Sequence, residues 1–154
     1  MTRSQLREHC FKMLFCADFY PAEEKEEQLE RYFEEPSEEG ETPEGVEEIL
    51  HSVVMSEKHE EFLKSKTEDI MCKVPELDAK IDEVAQGWKT KRMGRVDLTI
   101  LRLALYEMLY DDEVPEKVAI NEAVELAKKF GGNDSPAFIL SLIHILWPFL
   151  HTYT

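Results

Sequence analysis

The sequence has few of the residue patterns that build catalytic or metal centres. Its three cysteines, Cys10, Cys16 and Cys72, are odd in number, and no two of them form a C-x-x-C pair. Glycine is also scarce, and no glycine-rich phosphate loop, H-E-x-x-H or G-x-S-x-G motif occurs. These absences argue against a disulfide framework, a zinc site of the usual spacing and the common hydrolases. We therefore expect no catalytic residue, metal or cofactor, and unpaired thiols suit a cytoplasmic protein.

Long apolar runs are missing from most of the chain. The N-terminal residues MTRSQLREHC have no apolar core, so we expect no signal peptide. The apolar stretch at residues 137–150 is shorter than the roughly 20 residues that span a bilayer as a helix. It also contains Ser141, His144 and Pro148, so we expect no membrane segment. A tail-anchored membrane protein is therefore the weakest of the three functional hypotheses for this chain, because only this stretch suggests it.

Acidic residues outnumber basic ones, and one segment holds most of the excess. The chain has 33 Asp and Glu against 18 Lys and Arg, a formal net charge of −15 at pH 7. Residues 18–63 contain 17 acidic and three basic residues, so the remainder is close to neutral. Basic residues predominate in residues 1–17 and in residues 87–102. The global charge therefore does not exclude nucleic acid, because phosphate binding requires only a local excess of cations.

Helical periodicity runs through the chain, and strand patterns are nearly absent. Thr2 and Gln5 form a capping-box pattern ahead of apolar positions at helical spacing. The acidic segment holds a short amphipathic stretch around Leu29, and Thr42 followed by Pro43 predicts the start of another helix. We expect about seven helices in a single compact all-α domain.

Proline and glycine divide the second half of the chain into further helices. One helix is expected at about residues 60–73, and Pro75 is expected to start a new helix that stops at Gly87. Residues 95–110, RVDLTILRLALYEMLY, are apolar on nearly all sides, which predicts a helix covered on most of its faces. The next helix is expected to stop at Gly131 and Gly132.

Three stretches together resemble the NusB transcription antitermination family. They are LREHCFKMLFCADFY (residues 6–20), GWKTKRMGRVDLTILRLALYEMLY (residues 87–110) and VPEKVAINEAVELAKKFGGNDSPAF (residues 114–138). The run VAINEAVELAKKFG is the most specific of these. The same helical fold begins some ribosomal RNA cytosine methyltransferases. This chain ends where their catalytic domain would start, so we expect the stand-alone factor.

The resemblance implies an all-helical RNA-binding protein, a NusB-like helical bundle, that catalyses no reaction. Members of this family act with the small ribosomal protein NusE, and the pair binds the boxA element of nascent ribosomal RNA leaders. Other Nus factors and RNA polymerase join the assembly, which suppresses termination and assists rRNA maturation. We expect these partners here, with no membrane involvement, for a monomer or a homodimer.

The resemblance also indicates residues that contact RNA. Arg3 and Arg7 match positions in the first helix where family arginines face RNA, and Lys12 is expected as a further phosphate contact. The alternative is that these residues only solubilise an exposed helix end. Phe138 matches a family segment near the RNA, where it either stacks on a base or belongs to the core.

A second group of residues is expected to contact NusE. Asp97 matches an acidic position that the family uses toward NusE, although a carboxylate at a helix N-terminus also favours the helix dipole. Trp88 and Arg95 are expected at the edge of the same surface, with packing as the alternative role for Trp88. Arg102 and Glu107 lie on the apolar central helix, so we expect them to be buried or half-buried structural partners.

The end of the chain departs from the family pattern. Residues 1–139 are expected to form the NusB-like RNA-binding domain, with an acidic insert at about residues 22–61. Ser135, followed by proline, predicts the capped start of a last helix that ends near Leu146. Residues 140–154 are an apolar tail that is atypical of the family. We hypothesise that they are not native family sequence, for example because of a frameshift.

The second hypothesis for the whole chain belongs to a different functional class. It is an acidic all-helical protein-interaction adaptor that does not bind RNA. The high glutamate content is compatible with this hypothesis, although most of the glutamates are expected on a solvated face or loop. RNA binding separates the two hypotheses.

Overall fold

The computed structural model describes residues 1–34, 55–85 and 87–151. These residues form six α-helices and one short 3-10 turn at Thr90–Arg92, with no β-strand among them. The predicted all-α fold is confirmed, and the helix expected to start at Thr42 lies outside the described residues. The helices are α1 (Arg3–Ala17), α2 (Ala22–Glu34), α3 (Glu57–Val84), α4 (Arg95–Tyr110), α5 (Glu116–Phe130) and α6 (Ser135–His151).

Two compact units make up the chain, Met1–Asp69 and Ile70–Thr154, and α3 contributes residues to both. In the first unit, α1 packs against α2. Nδ1 of His9 lies 2.5 Å from the Tyr32 hydroxyl, which joins these two helices. Lys64 on α3 forms an ion pair with a glutamate of α2. Among the described residues of this unit, the buried apolar side chains are Cys10, Phe11, Met13, Leu14, Ala17, Leu29 and Leu63.

The start of α1 is the predicted capping box. The Thr2 hydroxyl accepts a hydrogen bond from the Gln5 amide at 3.1 Å, and the Gln5 side chain accepts one from the Thr2 amide at 2.8 Å. Two amides that have no partner within the helix are thereby satisfied. This reciprocal pair sets Arg3 as the first residue of α1.

Pro75 lies inside α3, which corrects the prediction of separate helices before and after it. Proline in a helix interior removes a backbone hydrogen bond and costs roughly 3 kcal/mol. Ile70, Leu77 and Ile81 on the surrounding turns are fully buried. The packing of this apolar face offsets the cost, because tertiary burial supplies most helical stability in proteins.

Helix α4 is buried on most sides, as its apolar sequence predicts. It packs against α5 and α6, and α5 and α6 also pack against each other. The Arg102 guanidinium on α4 donates two hydrogen bonds to Asp78 of α3, at 2.8 and 2.7 Å. Glu107 is also buried. The expectation of buried or half-buried charged residues on this helix is therefore confirmed.

The end of α3 requires the glycine predicted there. Gly87 has a φ of +83°, the only positive value among the described residues. Residues with a Cβ rarely adopt this conformation, whereas glycine does so without strain. The chain thereby turns away from α3 and enters the segment that leads to α4.

Helix α6 extends to His151, beyond the predicted end near Leu146. Ile139, Leu142 and Ile143 are buried on one side of it, so the uncharged segment joins the core of the second unit. Pro148 lies on the exposed side, where water can bond to the carbonyl that its missing N–H leaves unpaired within the helix. None of the helices in the described ranges has the length and hydrophobicity to span a bilayer.

Candidate functional site

Trp88 and Phe138 lie against each other in the second unit, although they are far apart in the sequence. Their ring centroids are 5.0 Å apart and their planes form an angle of 69°, which is an edge-to-face contact. Trp88 is 53% exposed, and Phe138 is half-buried at the start of α6. The family resemblance had assigned these two side chains to different partners. The structure brings them together on one surface.

This aromatic pair borders an open cavity of about 310 Å³. One wall is the segment from Trp88 to the first turn of α4, and the other is the segment between α5 and α6. Both walls therefore belong to stretches of the sequence that resemble the family, residues 87–110 and residues 114–138. Its lining residues are Trp88, Arg92, Met93, Gly94, Asp97, Gly132, Asn133, Asp134, Ser135 and Phe138.

Asp82 near the end of α3 holds the segment that carries Trp88. Its carboxylate accepts hydrogen bonds from the Thr90 amide at 2.7 Å and from the Thr90 hydroxyl at 3.0 Å. The Lys89 ammonium donates to the Asp82 carbonyl oxygen at 2.9 Å. Sequence reasoning missed this positioning role, because nothing in the pattern distinguishes Asp82 from the other acidic residues.

Four cationic residues follow Trp88 in the sequence, and all four are exposed: Lys89, Lys91, Arg92 and Arg95. Within the described part of the chain, neither Lys91 nor Arg92 forms an ion pair. Ion pairing within the described residues therefore does not neutralise these two charges. The surface combines an exposed aromatic ring with positive charge, which is the combination that single-stranded nucleic acids bind.

Asp97 lies in the first turn of α4 and on the cavity wall. Its Oδ1 atom is shielded from solvent and has no hydrogen-bond partner among the described residues. The position fits the alternative role at a helix N-terminus, where the dipole favours a negative charge. An unpartnered carboxylate oxygen is also able to accept a hydrogen bond from a ligand.

The opposite wall of the cavity is a tight turn between α5 and α6. A Cβ atom on Gly131 would lie 2.5 Å from the Ser135 side chain and 2.8 Å from the Ala127 carbonyl oxygen. The Gly132 amide donates to the Ser135 hydroxyl at 3.0 Å. Ser135 is thus the first residue of α6 rather than the predicted cap before it, and its hydroxyl closes the turn.

The predicted RNA-binding residues of α1 differ in exposure. Arg3 is exposed at the first position of the helix, whereas the Arg7 residue is only 6% exposed. The Lys12 side chain is 30% exposed, and its ammonium lies 3.9 Å from the Glu8 carboxylate. Burial argues against the predicted phosphate contact of Arg7, because a buried guanidinium reaches RNA only if the side chains that cover it move.

The chain matches the sequence model of the NusB family over residues 4–139. A relative from Lachnoclostridium phytofermentans, named transcription antitermination protein NusB, is 44% identical over 143 residues, which is 93% of this chain and 96% of the relative. A relative of the same name from Agathobacter rectalis is 43% identical over 141 residues, 90% of this chain and 94% of the relative. The solved structure of T. maritima NusB is similar with a TM-score of 0.68 and 26% identity, covering 95% of this chain and 90% of that one.

Proposed function

Because the chain belongs to the NusB family, we propose that it is an RNA-binding transcription antitermination factor. It binds the boxA RNA of rRNA leaders together with ribosomal protein NusE, and it supports rRNA transcription and maturation. The observation that carries this proposal is the family match over residues 4–139, with relatives named transcription antitermination proteins.

The proposed mechanism is assembly in the cytoplasm and requires no reaction step. A protein–RNA contact and a protein–protein contact reinforce each other, because ligands that share one complex are linked in their binding free energies. The complex then joins the other Nus factors on RNA polymerase. The strongly negative net charge is compatible with this mechanism, because the acidic residues concentrate outside the basic surfaces.

On α1 the proposed RNA contacts are Arg3 and Lys12. Arg3 lies at the helix N-terminus, where the helix dipole favours a phosphate group. No acidic residue lies in the first turn of this helix to oppose the interaction. The burial of Arg7 supports a structural role for that residue instead.

On α4 the proposed NusE contacts are Asp97 and Arg95. Both lie in the first turn of the helix, and Arg95 is exposed. The unpartnered Oδ1 atom of Asp97 supports this proposal, because a polar group of NusE is able to supply the missing hydrogen bond. Trp88 lies close to this surface but contacts Phe138, the residue assigned to RNA.

The test is a titration of fluorescently labelled boxA RNA with the full chain, with and without NusE, at several salt concentrations. We expect NusE to tighten RNA binding and added salt to weaken it, because phosphate contacts release counterions. R3A is expected to lower the affinity and reduce the salt dependence. K117A removes an equal charge from an exposed position near the start of α5 and serves as the matched control.

Two outcomes contradict the proposal. If RNA binding is absent both with and without NusE, the chain is better described as a protein-interaction adaptor. If RNA binds but the affinity does not depend on salt, the proposed phosphate contacts are wrong.

A further inference from the structure

We propose that the cavity beside Trp88 and Phe138 binds one unstacked base of single-stranded RNA, and that Trp88 is the stacking residue. This inference rests on the proposed RNA-binding function and adds a base site to it. The resemblance places Trp88 with the protein partner, whereas its contact with Phe138 places it at the cavity mouth.

The exposure of Trp88 supports the stacking role. A tryptophan that serves only to pack is normally covered, whereas this side chain is 53% exposed. The edge-to-face contact with Phe138 holds the indole from one side. The remaining area is available to a base, because every base has a π-face that stacks on an aromatic ring.

Charge indicates which part of an RNA strand enters the cavity. The cavity lining contains one basic residue, Arg92, and two acidic residues, Asp97 and Asp134. These carboxylates repel a phosphate group, and the Asp134 carboxylate accepts hydrogen bonds from the imino or amino groups of a base edge. The exposed Lys91 is available to an adjoining phosphate. The charge pattern therefore favours a base in the cavity and the backbone outside it.

The neighbouring structure holds this site in place before RNA arrives. Asp82 ties the segment carrying Trp88 to α3 through Thr90. On the other side, Ser135 closes the turn that leads to Phe138. A binding surface that is ordered before the ligand binds loses less conformational entropy on association.

The first experiment measures the affinity of W88A for labelled boxA RNA in the presence of NusE. We expect the Kd to rise roughly tenfold, the loss typical of one base–aromatic stack. W88F retains a ring and is expected to recover much of the affinity. Binding of NusE without RNA is expected to stay unchanged, and circular dichroism checks that both variants are folded.

The second experiment locates the stacked nucleotide. A series of boxA RNAs, each with one abasic position, is titrated against the wild-type chain and W88A. We expect one position at which the abasic change weakens the wild type but has no further effect in W88A. In W147F, where Trp88 is the sole tryptophan, RNA is expected to quench the fluorescence.

The possible failures are distinguishable. If the wild-type chain binds no boxA RNA with or without NusE, the proposed function and the base site are both wrong. If the wild type binds and W88A binds equally well, only the base site is wrong. If W88A loses affinity for NusE but retains its affinity for RNA, Trp88 contacts the protein partner instead.

Discussion

The Asp82 carboxylate on α3 accepts two hydrogen bonds from Thr90, one from the amide at 2.7 Å and one from the hydroxyl at 3.0 Å. Thr90 is buried within a segment whose other residues are mostly exposed. This single carboxylate therefore connects the basic segment to the helix that precedes it.

We expect D82A to loosen this segment and leave the Thr90 donors without their acceptor. Loss of such a partner costs about 1–3 kcal/mol in unfolding free energy. RNA affinity is expected to fall as well, because Trp88 is no longer held in position. Urea unfolding and RNA titration measure the two effects. E83A removes the same charge from the exposed neighbouring residue, and an equal effect in E83A would contradict the positioning role.

The Arg102–Asp78 pair is expected to stabilise the second unit. Its side chains are 12% and 23% exposed, and D78A removes both acceptors of the bidentate contact. We expect the unfolding free energy to fall by about 2 kcal/mol, as for hydrogen bonds to charged groups. R102K retains the charge but loses the planar fork, so it is also expected to be less stable.

The control for this pair is E125A, which breaks the exposed Lys128–Glu125 pair of α5. Exposed pairs contribute less than about 1 kcal/mol, because solvent screens them. Chemical denaturation of both variants provides the comparison. A loss in E125A as large as that in D78A would show that removal of charge, rather than the part-buried contact, explains the result.

The turn between α5 and α6 is expected to require glycine at residue 131 only. G131A places a Cβ atom 2.8 Å from the backbone oxygen of Ala127, which cannot move without disturbing α5. We expect a loss of about 1–3 kcal/mol in unfolding free energy, as for other overpacked sites. G132A is the matched control, because its Cβ would meet no atom within 4 Å. Equal thermal stability of the two variants would refute the steric explanation.

Arg3 and Arg7 are expected to respond differently to mutation. R3A removes an exposed charge, so we expect weaker RNA binding with little change in Tm. R7A removes a side chain that is only 6% exposed, so we expect lower stability from lost packing and polar contacts. Thermal melts and RNA titrations of both variants check this division. An unchanged Tm in R7A would contradict the structural role of Arg7 and favour the predicted RNA contact.

The atypical C-terminal segment is expected to contribute to the core. Leu142 is fully buried on α6, and L142A is expected to cost about 2–5 kcal/mol. Leu140 is 38% exposed on the same helix, so L140A is expected to change stability by less than about 0.5 kcal/mol. Urea unfolding measures both. Equal and small effects would show that this segment does not support the fold.

Residues 140–154 are predicted not to be native family sequence. The matched family segment stops at residue 139, where the sequence pattern also changes. Sequencing the locus tests the frameshift hypothesis, and an unbroken reading frame would refute it. The burial of Ile143 and Leu146 shows that an uncharged segment is able to pack in either case.

Most of the fold followed from local sequence signals. The capping box at Thr2, the apolar helix α4 and the glycine stop at Gly87 each depend on residues within a few positions of one another. Patterns of this kind determine helix starts, ends and faces. The prediction that Pro75 starts a new helix was wrong. Whether a helix continues through a proline depends on how much apolar surface its neighbouring turns bury, and burial is a property of the packed structure.

The candidate site followed from the sequence only in part. Composition showed the basic character of residues 87–102, and the family resemblance indicated partner contacts at Trp88, Asp97 and Phe138. Their arrangement around one cavity did not, and neither did the role of Asp82. Sequence spacing carries no information on which distant side chains meet.

The sequence by itself determined the helical class, the ends of several helices and the family, because capping, periodicity and motif spacing are local. Only the tertiary structure decided that Arg7 is buried, that Trp88 meets Phe138 and that Asp97 lies on the same cavity wall. These relationships arise when helices pack, since packing sets the exposure of each side chain and joins residues that the chain keeps apart.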